Sequence, residues 1–158
     1  MIRPYREEDL PAVMALADRA WEQPYALHRK VCGDELFEAL KPNAKVFKGL
    51  EVARGCRKRP ACVRVCEEQG VIVGFITFLL DEEKRIGEIG NNGVDPACRG
   101  RGVGQQMYQA VLALFRERGM RFAKVTTGLD DGYAPARRAY ERAGFNIRVE
   151  SVTYYQKL

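Results

Sequence analysis

Histidine is almost missing: His28 is the only one in 158 residues. Cysteine is sparse and odd in number, at positions 32, 56, 62, 66 and 98. Cys62 and Cys66 are separated by three residues rather than the two of a CxxC pair, and His28 is far from both in sequence. No metal is expected from such a set, and reduced thiols are the natural reading. In a strand, Cys62, Arg64 and Cys66 would share one face.

Long apolar runs are also missing. The longest, Val71 to Leu80, has ten residues and contains Gly74 and Thr77. A membrane-spanning helix needs about 20, so no membrane partner is expected. The opening MIRPYREEDL carries charges where a signal peptide needs an apolar centre. These features predict a cytoplasmic protein. No internal repeat and no Pro/Gly/Ser-rich linker divides the chain, which predicts one domain over residues 1–158.

What is present is ordinary globular material: 46% hydrophobic and 30% charged residues, enough for a core and against disorder. The net charge of +5 favours anionic ligands without by itself indicating nucleic acid. Much of the excess lies between Lys41 and Arg64, in Lys41, Lys45, Lys48, Arg54, Arg57, Lys58, Arg59 and Arg64, opposed only by Glu51. This run reads either as a docking surface for an acidic partner or nucleic acid, or as a solvated helix face and loop. The second reading is favoured, because most charge runs are no more than that.

Apolar spacing predicts a short strand at 2–6, then a helix over 9–21 that Pro24 ends or interrupts. Further helices are predicted over 25–40, broken near Gly33, and over 44–56 with its lysines on one side and Phe47 and Leu50 on the other. Strands are predicted at 61–67, 71–80 and 86–94, the first two forming a hairpin. A clear helix spans 102–118, followed by a strand at 122–127 and a helix over 135–143. Two closing strands are predicted at 145–149 and 151–156.

The chemistry is concentrated in Gly93-Val94-Asp95-Pro96-Ala97-Cys98-Arg99-Gly100-Arg101-Gly102-Val103-Gly104. A basic, glycine-rich turn there joins a strand to the N-terminus of a long helix. Free amides, close backbone approach at glycine and the helix dipole all favour a phosphate or pyrophosphate. A P-loop and a dinucleotide fingerprint both fail because Gln105 stands where each needs glycine. What is left is R-x-x-G-x-G, filled by Arg99, Gly102 and Gly104.

This segment resembles the coenzyme A pyrophosphate loop of the GNAT superfamily, the acyl-CoA-dependent N-acetyltransferases. The closing run Ala136 to Phe145 is similar to that family's second signature, A-x-x-x-Y-E-x-x-G-F. IRPYREEDLPAV looks like its first strand and helix, so the resemblance covers nearly the whole chain. It implies an α/β fold with a mixed, mostly antiparallel sheet of six or seven strands flanked by helices. Strands 86–94 and 122–127 would run parallel and splay apart at the cofactor site. It also implies acetyl-CoA as cosubstrate, no metal, and direct acetyl transfer to a primary amine whose identity is not readable. Dimers are frequent in the family, so a homodimer is one expectation.

By the same resemblance, the cofactor would lie on Val94, Arg99, Gly100, Arg101, Gly102, Val103 and Gly104. A bulge at Gly93-Val94 would free the Val94 amide to polarise the thioester carbonyl. Tyr140 matches the signature tyrosine and would protonate the leaving thiolate. Glu88 is similar to the glutamate of histone-type members and would act as base, sharing a strand face with Val94 if a bulge leaves the phase intact. Tyr133 stands where many members have asparagine. Asp130, Asp131 and Tyr133 are a second polar group that would bind the amine instead, and Trp21, Tyr25 and Phe37 are candidate pocket aromatics. Two other classes are carried: a non-catalytic acyl-CoA-binding module, and a nucleic-acid-binding protein using residues 41–64.

Overall fold

The computed structural model describes all 158 residues, Met1 to Leu158. Strand β1 (Ile2–Pro4) leads into three helices, α1 (Leu10–Cys32), α2 (Asp34–Leu40) and α3 (Ala44–Lys58). Three antiparallel strands follow, β2 (Val63–Glu68), β3 (Val71–Asp81) and β4 (Ile86–Val94). Helix α4 (Val103–Glu117), strand β5 (Phe122–Val125) and helix α5 (Ala134–Arg142) complete the ordered elements. The sheet has five strands in the order β1-β2-β3-β4-β5, and only β4 and β5 are parallel.

Two apolar layers hold the sheet between them. On one face α4 packs Val103, Met107, Val111 and Phe115 against Ile76, Phe78 and Ile89. This is the helical stripe that the sequence predicts for 102–118. On the other face Leu10, Val13, Leu16 and Ala17 of α1 meet Val52, Ala53 and Cys56 of α3 over Val63, Val65 and Phe75.

Glycine sets the closeness of α1 and α3. A Cβ at Gly49 would lie 2.6 Å from Asp18 Oδ2 and 2.8 Å from the Met14 carbonyl oxygen. Helix α3 is therefore turned so that Lys48, Gly49, Val52, Ala53 and Cys56 face inward. Leu50, expected on the apolar side, is 48% exposed, and Lys48, expected on a solvated face, is 7% exposed.

Three sequence expectations need correction. Pro24 does not end its helix; α1 runs through it to Cys32. Ala61 and Cys62 belong to a 3-10 turn, Pro60–Cys62, before β2 begins. Residues 145–149 and 151–156 form no strands. Ile147, Val149, Val152 and Tyr154 alternate with polar residues, but all four are at least 72% exposed. Alternation yields a strand only where an edge pairs with it, and the outer edge of β5 is four residues long. Five strands therefore replace the expected six or seven. The five cysteines are free thiols, and no helix is long and apolar enough to cross a membrane.

Candidate active site

The sheet opens between its parallel strands. Strand β4 pairs with β5 from Ile86↔Phe122 to Ile89↔Val125 and then continues alone to Val94. The chain after β5 swings to α1 instead, where Gly132 would bring a Cβ within 3.1 Å of Pro24. The expected splay is thus present, and together with the tail residues 145–153 it frames a cavity of about 1580 Å³.

Strand β4 carries a bulge where it parts from β5. Ile76 faces Asn92 and Phe78 faces Ile89, so Thr77 alone opposes Gly90 and Asn91. Thr77 Oγ1 donates to the Asn91 carbonyl at 3.1 Å, and a Cβ at Gly90 would lie 2.7 Å from Thr77 Oγ1. The bulge thus sits at Gly90-Asn91, not at Gly93-Val94 as expected. It reverses the facing of everything beyond it. Before it, Gly87 and Ile89 face α4. After it, Asn92 and Val94 face α4, while Asn91 and Gly93 face α1 and α3.

Glu88 is therefore not on the face of Val94. It lies outside the cavity lining and pairs with Lys124 Nζ at 3.1 Å. Val94 does line the cavity. Asp95 N–H donates to the Val73 carbonyl on the β3 side, so by strand alternation the Val94 N–H points to the open edge.

The glycine-rich turn crosses the mouth of the cavity. Gly100 and Gly102 have φ of 78° and 82°, a left-handed backbone that glycine adopts freely. The first amide bonded in α4 is that of Gln106, onto the Gly102 carbonyl. The amides of Val103, Gly104 and Gln105 precede it and have no acceptor within the helix. Arg99, Gly100, Gly102, Val103 and Gly104 line the cavity; Arg101 does not, being drawn to Glu68 at 2.6 Å. Asp95 holds the turn from below, accepting from Ala97 N–H at 3.0 Å and from Arg19 at 2.5 Å. The Arg19 guanidinium and the Ala97 amide keep its carboxyl below the usual range.

Tyr140, on α5, is 7% exposed and lines the same cavity. Asn92 Nδ2 donates to its hydroxyl at 3.1 Å, and Tyr108 donates to Asn92 Oδ1 at 2.8 Å. Burial pushes the Tyr140 phenol above its ordinary value, partly opposed by these two neighbours, so it is protonated at neutral pH. Gln105 Nε2 donates to the Ala139 carbonyl at 2.7 Å and ties α5 to the start of α4.

At the opposite end Trp21, Lys48 and Asn91 line the cavity, and Glu51 stands outside that lining. Lys48 Nζ lies 2.9 Å from Glu51 Oε1 and 4.6 Å from the centre of the Trp21 ring. Asn91 Nδ2 donates to that same Glu51 oxygen at 3.2 Å. Burial pushes the Lys48 ammonium down. It also pushes the Glu51 carboxyl up, but Lys48, Asn91 and Lys41 outweigh it and leave Glu51 below the usual range. The only earlier signal was that Glu51 stood alone among the basic residues of 41–64.

The remaining candidates divide. Trp21 lines the cavity, but Tyr25 and Phe37 pack edge to face at 5.9 Å inside the protein. Asp131 and Tyr133 line the cavity. Asp130 is held by His28 Nδ1 at 3.0 Å, which braces α1 against the loop after β5.

The Acetyltransferase (GNAT) family model matches residues 13–145 of this chain. The chain belongs to the GNAT family. It is 33% identical over 92 residues to a mycothiol acetyltransferase of Segniliparus rotundus, a match spanning 56% of this chain and 34% of that protein. The chain thus spans about a third of the length of the curated relatives it matches. A GNAT family acetyltransferase from Brucella melitensis, solved in complex with acetyl-CoA, superposes with a TM-score of 0.62. It is 27% identical, and the match covers 93% of this chain and 82% of that one. PaiA N-acetyltransferase from Thermoplasma acidophilum, solved with coenzyme A, gives a TM-score of 0.72 at 15% identity, covering 96% and 92% of the two chains. That likeness is one of fold.

Proposed function

We propose that this GNAT protein transfers an acetyl group from acetyl-CoA to a primary amine. One observation carries the reading: the unbonded amides at the start of α4 and the Tyr140 hydroxyl line one cavity, where β4 has parted from β5. Both ends of the cosubstrate fit. The amides of Val103, Gly104 and Gln105, with Arg99 beside them, suit a pyrophosphate. The open edge of β4 from Asn92 to Val94 suits an amide-bearing arm lying alongside as an added strand.

When bound, acetyl-CoA supplies an activated acetyl thioester. The chain's own groups do the rest. The Val94 N–H stands on the open edge, where a carbonyl oxygen can accept from it. Tyr140, protonated and oriented by Asn92, donates a proton to the sulfur as the thiolate leaves. Glu88 takes no part, because Lys124 holds it outside the cavity. Free thiols support a reducing setting such as the cytoplasm.

The test is the melting temperature with and without excess acetyl-CoA, with ATP as a control anion. A ligand at about 100 times its Kd stabilises by about 2.7 kcal/mol. Stabilisation by acetyl-CoA and not by ATP supports the reading, and thiol release with an amine completes it. Equal shifts with both, or none, overturn it.

A further inference from the structure

The carbonyl carbon of a thioester is flat and carries an oxygen, a sulfur and an acyl chain. In this cavity the oxygen goes to the Val94 N–H on the open edge of β4, and the sulfur goes to Tyr140. Tyr140 lies on the α4 side of the sheet, where Asn92 donates to its hydroxyl. The acyl chain, spreading away from the sulfur, therefore points to the α1 side. Next to Val94, the residue of β4 that faces α1 is Gly93. A Cβ there would lie 3.1 Å from Trp21 Cζ3, 3.1 Å from Phe75 Cε1 and 3.3 Å from Ala20 Cβ. Glycine thus lets the indole of Trp21 come against the strand itself, and Trp21 lines the cavity at that point.

Trp21 is a wall that does not yield. The Phe75 ring lies 6.4 Å from it, centre to centre, and is fully buried. Lys48 Nζ lies 4.6 Å from the ring centre and is itself held by Glu51 at 2.9 Å. An interior packed this closely leaves a large ring no second position. The other sides are closed too. Strands β4 and β5 rejoin at Ile89↔Val125, the end toward which a cosubstrate entering at the glycine-rich turn would run. On the α4 side, Tyr108, Asn92 and Tyr140 are hydrogen-bonded to one another. An aromatic wall offers apolar area to a methyl group and no room behind it for more.

We propose that Trp21 is the end wall of the acyl subsite and restricts the donor to short acyl groups, acetyl fitting and butyryl being too long. The assignment rests on the acetyltransferase reading and adds the residue that sets its donor specificity.

The experiment needs no acceptor. Dissociation constants are measured by calorimetry for coenzyme A, acetyl-CoA, butyryl-CoA and hexanoyl-CoA. Each is taken relative to coenzyme A, which has no acyl group, so a general disturbance of the site cancels. The wild-type protein should bind butyryl-CoA and hexanoyl-CoA about tenfold or more weakly than acetyl-CoA, the usual scale for a methylene that a pocket rejects. Trp21→Ala should bring the longer chains level with acetyl-CoA or beyond it. Loss of a packed indole can disturb folding, so Trp21→Phe, which keeps a ring but shortens the wall, is measured beside it. It should relax the preference in the same direction by a smaller factor. A residue with a structural role alone would weaken all the ligands alike and leave their ratios unchanged.

Wild-type binding of butyryl-CoA as tight as that of acetyl-CoA overturns the proposal, as does an unchanged ratio in the variants. In either case acetyl-CoA still binds, and the acetyltransferase reading stands. If neither coenzyme A nor acetyl-CoA binds, both fall.

Discussion

Arg99 donates from Nη2 to the carbonyl of Ala20 at 3.2 Å. That carbonyl is the one a residue at position 24 would use in a regular helix, and Pro24 has no N–H to reach it. A proline in the interior of α1 therefore creates an acceptor, and the glycine-rich turn supplies the donor from 79 residues away. The contact fixes Arg99 beside the N-terminus of α4, where its charge adds to the unbonded amides.

Pro24→Ala should separate stability from cofactor binding. Alanine restores the backbone donor, which competes with Arg99 for the Ala20 carbonyl. The melting temperature should rise, since proline in a helix interior is up to about 3 kcal/mol less favourable than alanine. KM for acetyl-CoA should rise as well, because Arg99 loses its anchor. Arg99→Ala removes anchor and charge together, and its KM should increase about tenfold or more, as for a lost charge-assisted hydrogen bond. An unchanged KM in both variants would show that Arg99 takes no part in holding acetyl-CoA.

Tyr140 and Asn92 should fail in graded order. Tyr140→Phe removes the proton donor and should lower kcat about 100-fold, the low end for general acid catalysis, with little change in KM for acetyl-CoA. Asn92→Ala leaves the phenol present but without its 3.1 Å donor, and leaves Tyr108 without its acceptor. It should lower kcat less than Tyr140→Phe, and Asn92→Gln should recover part of the loss. Steady-state kinetics on the three variants check the order.

Alkaline pH should destabilise the fold through buried phenols. Burial raises Tyr25, Tyr108 and Tyr140 above the ordinary value of 10.0. Below pH 10 folded and unfolded chains both hold these protons, and the stabilisation is complete. As pH rises further the unfolded chain releases them first. Stability then falls by about 1.4 kcal/mol per pH unit for each phenol until the native groups titrate too. Denaturant midpoints measured across this range, with tyrosinate absorbance followed in parallel, should show unfolding and ionisation together.

The two motifs were legible because each is local. Arg99 to Gly104 and Ala136 to Phe145 are short runs whose spacing carries their geometry, and the α4 stripe is a period within one helix. The rest depended on partners far along the chain. Pro24 is tolerated because of Arg99. The bulge at Gly90-Asn91 is set opposite Thr77 on β3, and it moved Glu88 off the expected face. Lys48 looked like part of a solvated charge run because nothing local says that Gly49 lets α3 close on α1 and turn Lys48 toward Trp21. The tail at 145–158 misled in the opposite sense: its alternation is strand-like, but no edge is paired with it.

Gly87 and Glu88 are neighbours on β4 and should respond oppositely. A Cβ at Gly87 would lie 2.4 Å from two atoms of the Phe115 ring, which is itself 2% exposed and packed on Phe78 at 5.9 Å. The ring has nowhere to go, so Gly87→Ala should cost about 1–3 kcal/mol, the usual penalty of overpacking. For a chain of this length that lowers the melting temperature by several degrees, at about 2–4 °C per kcal/mol. The folded fraction should keep its kcat, since Gly87 lies outside the cavity lining. Glu88→Gln removes a half-exposed pair with Lys124, a contact of the kind worth about 0–1 kcal/mol. Neither melting temperature nor kcat should move appreciably. A large loss of kcat in Glu88→Gln would make Glu88 the base.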